Sequence, residues 1–162
     1  MNRTLSLSIA LITLTATLFS CNDKNIRFKE FQKFDDLEWN KGDNKTFIIH
    51  IDDNRKPKEM ILAFRYATGY PFDKVKMKIT EVNPAGERIT RDVDFKVRDE
   101  NGEFIGEKGF DIIDIEYVLD ANKEFLTHGD YTYIIEQAMP PTIEKLHYAM
   151  EVGLILKEKE SK

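Results

Sequence analysis

Serine and cysteine are almost missing from this chain. Cys21 is the only cysteine in 162 residues, and beyond residue 20 the only serine is Ser161. One thiol cannot form an internal disulfide. With Cys21 engaged elsewhere, as argued below, hydrolases that pair a serine or cysteine nucleophile with a base are excluded by composition. Histidine is also scarce: His50, His128 and His147 lie far apart, with no pair at metal-ligand spacing. A basic excess is absent too. Lys and Arg number 24 against 29 Asp and Glu, a net charge of −5. Nucleic-acid binding needs a cationic footprint to neutralise phosphates, so it is excluded, and charge alone would not hold the chain on anionic lipid. There is no Gly-rich phosphate loop, no Ser- or Gly-rich linker and no internal repeat.

No apolar run is long enough to span a bilayer, which takes about 20 residues. The main apolar stretch is LSLSIALITLTATLF, residues 5–19, uncharged and behind Arg3. A positive start and a short apolar segment containing Ser and Thr predict a cleaved secretory signal peptide over residues 1–20. It ends in Leu18-Phe19-Ser20-Cys21, which resembles the lipobox of bacterial lipoproteins. The expectation is that Cys21 becomes the new amino terminus, carrying a thioether-linked diacylglycerol and an N-acyl chain. A secretory signal with an incidental cysteine is the alternative. Each buried methylene contributes about 0.8 kcal/mol, and two or three acyl chains exceed the marginal hold of one. The expected organisation is a signal peptide over 1–20, a lipidated tether over 21–25 and a single domain over 26–162. Without residues 1–20 the chain keeps 23 basic and 29 acidic residues, a net charge of −6.

The domain reads as strands. In KVKMKITEV, residues 74–82, Val75, Met77 and Ile79 alternate with Lys74, Lys76, Lys78 and Thr80, the period of a strand with one buried and one wet face. After Asn83-Pro84-Ala85-Gly86 the alternation resumes through Val93, Phe95 and Val97, predicting a hairpin over 74–98. Further strands are predicted at 46–52, 58–68, 131–139 and 147–157, with weaker candidates at 26–34 and 122–127. Residues 111–119, DIIDIEYVL, are the one helix candidate and read equally well as extended. This pattern predicts an all-β fold, an antiparallel β-sandwich of about seven or eight strands, with a small closed barrel as the alternative.

Chemistry is sparse. His50 and Asp52 share a strand face and could ligate zinc, but a solvated face explains them equally. Residues 99–103 offer oxygens to calcium yet read as a hairpin turn. The expectation is no metal, no cofactor and no enzyme activity. The aromatics invite two readings. Trp39, Tyr66, Tyr70 and Phe72 flank turn sequences and could form an exposed surface for a partner or a glycan, or plug the ends of the core.

The blocks LEWNKGD (37–43), RYATGYPF (65–72), GEFIG (102–106), GDY through EQAM (129–139) and VGL (152–154) stand in this order behind the lipobox. Together they resemble the gliding-motility lipoprotein GldH family of the Bacteroidota. Phe104 stands where a Trp is common in that pattern and Pro140 where an Arg is expected. The resemblance implies an envelope lipoprotein of the gliding and type IX secretion apparatus that works through other envelope proteins and has no known catalytic residues. Only Cys21 carries over, as the acylation site. Few acids follow Cys21, so an outer-membrane lipoprotein facing the periplasm is expected. A carbohydrate-binding surface lipoprotein of a glycan-uptake system is the alternative function.

Overall fold

In a computed structural model, the structure describes residues 25–53 and 55–159. The expected signal peptide, Cys21 and most of the expected tether lie outside the described residues.

Period-two alternation sets the long strands. They are β1 (Ile26–Lys33), β3 (Lys45–Ile51), β4 (Lys58–Ala67), β5 (Lys74–Val82), β6 (Arg88–Lys96), β8 (Ile112–Lys123), β9 (Gly129–Gln137) and β11 (Ala149–Glu158). Three short ones join them: β2 (Glu38–Asn40), β7 (Glu107–Lys108) and β10 (Lys145–His147). One sheet has the order β1-β11-β4-β8-β7, a second β3-β9-β5-β6, and β10-β2 forms a small ribbon. Every pairing is antiparallel. The two larger sheets face one another without closing into a barrel, so the all-β sandwich expectation holds.

The core is the space between their inner faces. Met60, Leu62 and Phe64 of β4 and Val152, Leu154 and Leu156 of β11 meet Phe47 and Ile49 of β3, Tyr133 and Ile135 of β9, and Val75, Met77 and Ile79 of β5. Strands β4 and β11 are central, and part of their outer face is buried too. Ile61, Ala63 and Ile155 form a separate small cluster under Ile26 and Phe31. This explains why both read as nearly continuous apolar runs.

One open reading is resolved and one expectation is corrected. Of residues 111–119, all from Ile112 on are strand, the extended alternative: Ile113 and Ile115 point into the core while β4 pairs along them. Long-range pairing decides a segment whose local pattern was ambiguous. The weak strand at 122–127 belongs to β8 only through Lys123; beyond it, Phe125 turns inward and packs edge-on against Tyr131 at 4.8 Å.

Register also sorts the loops by end. Ile26 pairs with Lys157, Glu158 with Lys58, and Lys58 with Lys123. The loops after β3, β5 and β8 therefore gather at the end where the chain enters β1. The segments around residues 34–44, 68–73, 97–111 and 138–144 gather at the other. At about 3.3 Å per residue, the ten residues of β4 separate the two ends by about 30 Å.

Candidate interaction surface

The turn-flanking aromatics occupy the far end of the sandwich, but inside it. Trp39, Tyr66 and Tyr70 are each 0 % exposed. Trp39 stacks on Phe34 at 4.5 Å and lies 6.4 Å from Phe64, and its indole N–H donates to the Asp43 carbonyl at 2.9 Å. Tyr66 packs against Phe64 at 5.4 Å and Tyr70 at 5.3 Å. Its hydroxyl donates to the carbonyls of Val97 at 3.0 Å and Ile105 at 3.3 Å. Burial pushes the Tyr66 hydroxyl up to about 12, and burial raises that of Tyr70 as well. The partner-binding assignment of Trp39, Tyr66 and Tyr70 is therefore corrected: these rings plug the core and present no face to a protein or a sugar. The reason is local. The ribbon of β2 and β10 folds Trp39 inward, and Tyr66 falls on the inner face of β4. Phe72 alone stays half-buried, edge-on to Tyr70 at 5.7 Å.

Phe72 leads to a concavity at this end. A cleft of about 490 Å³ has Phe72, Met139, Pro140 and Ile143 as its apolar part, and its rim mixes Lys74, Lys76, Lys96 and Arg98 with Asp73, Asp99 and Glu100. Sequence reading missed it because its pieces come from β5, β6 and the β9–β10 loop. Lys74 and Lys76 point outward because Val75 and Met77 point inward. Arg98 lies 3.8 Å over the Phe104 ring and donates to the carbonyls of Tyr70 at 3.0 Å and Gly102 at 3.1 Å.

The other candidates have structural partners. His50 sits on an exposed face between Asp130, 2.5 Å from Nδ1, and Asp52, 3.1 Å from Nε2. Its pKa is raised, chiefly by the hydrogen bond to Asp130. Asp99 spends one carboxylate oxygen on the backbone N–H groups of Asn101 and Glu103, closing its turn. Among the described residues no group of three His, Cys, Asp or Glu side chains is arranged to hold a metal, and no helix is long and apolar enough to cross a membrane.

Residues 26–156 match the protein family described as GldH lipoprotein. A "Gliding motility lipoprotein GldH homolog" from Christiangramia forsetii is 24% identical over 160 residues, 95% of this chain and 97% of that protein. Among solved structures, the Yersinia pseudotuberculosis-derived mitogen covers 85% of this chain and 91% of its own, at 7% identity and a TM-score of 0.36.

Proposed function

This chain belongs to the GldH lipoprotein family, and from that premise we propose a non-enzymatic, lipid-anchored component of the gliding-motility and type IX secretion apparatus. It is held by acylated Cys21 and acts through contacts with other envelope proteins. The family match across nearly the whole β domain carries the reading. The sequence supports the anchor, with Leu18 three places before a lone Cys21 at the end of an apolar run. Acyl chains confine the domain to a bilayer and raise its effective concentration at neighbouring membrane proteins. We place it at the outer membrane, facing the periplasm.

The test is affinity capture of the lipidated protein from gently solubilised envelopes, followed by mass spectrometry. Gliding and secretion components should co-purify, and Cys21→Ser should abolish both envelope fractionation and fatty-acid labelling. Recovery of glycan-uptake proteins in their place, or an unlabelled wild type, overturns the reading.

A further inference from the structure

Two bulky residues hold left-handed backbone side by side. Leu37 has φ +57 and Tyr148 φ +64, and each stands one residue beyond the Glu38–His147 pair that ends the β2–β10 ribbon. Left-handed backbone is costly for a bulky side chain, and such strain collects at ligand-binding and switch regions. Glycine would adopt both conformations freely. Both positions instead present an apolar side chain to water, Leu37 at 42% and Tyr148 at 47% exposed. The Tyr148 ring lies over Gly69, where a Cβ would come within 2.8 Å of it. Beside Gly69, the Thr68 N–H donates to the Asp111 carbonyl at 3.0 Å, which brings up Phe110, 98% exposed. Leu37, Tyr148 and Phe110 thus form an apolar row along the rim of the five-stranded sheet, at the end away from the start of β1.

Charge says what covers the row. The four segments gathered at this end hold eleven acidic and three basic side chains, while the rest of the chain beyond residue 20 holds eighteen and twenty. The cations that border the row are engaged. Lys145 and His147 both reach Glu38, at 2.6 and 3.0 Å, and Arg65 reaches Asp114 and Glu151, at 2.7 and 3.1 Å. Lys33 stands 4.0 Å from Glu151, and Lys108 3.4 Å from Glu103. Asp35 and Asp36, next to Leu37, and Asp111, next to Phe110, form no ion pair among the described residues. A second copy would bring the same acidic end, and a lipid or polymer carrying phosphates would be repelled.

We infer that this row docks a basic segment of a partner protein, in which large apolar side chains are interspersed with Lys or Arg. The apolar side chains seat against Leu37, Tyr148 and Phe110, and the cations meet Asp35, Asp36 and Asp111. The rings of Tyr148 and Phe110 also accept a cation on their faces, so shape and charge select the same chemistry. This inference rests on the reading that the protein works through protein contacts, and names the surface.

The experiment pans a random peptide display library against the detergent-solubilised lipidated protein and its Phe110→Ala, Asp111→Lys and Leu37→Gly variants. Enriched peptides should combine Lys or Arg with aromatic or large aliphatic residues. Each variant should bind them at least about tenfold more weakly, as when a central anchor of an interface is truncated. Replacing the basic residues of the peptide by Glu should abolish binding. The urea midpoint of Phe110→Ala should match the wild type, and that of Leu37→Gly should stay level or rise, because glycine relieves the left-handed strain. Lost binding with undiminished stability is an outcome that merely structural side chains would not produce. Enrichment without basic residues, binding unchanged by all three substitutions, or no enrichment overturns the assignment of this row. If envelope proteins still co-purify with Phe110→Ala and Asp111→Lys in any of those cases, the docking surface lies elsewhere and the partner-based function stands.

Discussion

At the scale of single residues, the aromatic side chains carry stability. Trp39 touches Phe34 and Phe64 and has its indole N–H satisfied inside the fold. Truncating a fully buried Trp removes its transfer energy and leaves a cavity, so Trp39→Ala should cost about 3–5 kcal/mol. Phe72→Ala, at a half-exposed site, should cost about 1 kcal/mol, within the ordinary range for point changes. Urea unfolding of the two variants compares them directly, and a Trp39→Ala midpoint matching the wild type would contradict the core assignment. The sequence put these rings beside turn signals but could not say which way they face. Trp39 turns inward through pairing of β2 with β10, about a hundred residues along the chain. The identity of Trp39 was visible and its partner was not.

Among the elements, seven of the eight long strands were legible because alternation is a local signal, while β8 was not, its DIIDIEYVL part fitting helix and strand alike. Residues 74–82 match β5 end to end. The three short strands were not, since two or three residues cannot display a period. Neither was the pairing of β1 with β11, the first and last strands, which no local pattern encodes. Part of the cleft rim was legible: a hairpin that closes at residues 83–87 sets Lys74 opposite Lys96. The rest of the cleft needs the β9–β10 loop brought over β5 by tertiary contacts. One sheet contact makes a test. Gly153 on β11 lies opposite Phe31 on β1, and a Cβ at Gly153 would come within 2.6 Å of the Phe31 ring. Gly153→Ala should therefore destabilise by about 1–3 kcal/mol, the cost of overpacking. Phe31→Ala removes the obstacle, so the double variant should lose less than the sum of the singles. Additive losses in urea unfolding would mean that ring and glycine are not in contact. Gly106 is stricter, with φ +117 and a would-be Cβ 2.3 Å from the Asp114 carbonyl. Only backbone movement could relieve that clash.

For the whole molecule, tether length and strand direction together set how the domain stands on a membrane. Four residues separate Cys21 from Ile26, and at full extension they reach about 15 Å. With Cys21 acylated, the end where β1 begins must lie near the lipid, and the cleft must point away by about the length of a strand, roughly 30 Å. The exposed apolar residues differ between the ends. Leu126, 83% exposed, sits in the loop after β8 at the anchored end, while Phe110, 98% exposed, tips the β7–β8 turn at the far end. Burying one Leu side chain contributes about 1.5–3 kcal/mol, too little to hold the protein beside two or three acyl chains but enough to favour one tilt. An acylated Cys21 leaves no free thiol, so Leu126→Cys and Phe110→Cys can each be labelled at one site with an environment-sensitive nitrobenzoxadiazole dye. On lipid vesicles the label at 126 should brighten and shift to the blue, and the label at 110 should not change. A response at 110 alone, or equal responses at both, would mean that the domain lies on its side or inverted, with the cleft turned towards lipid.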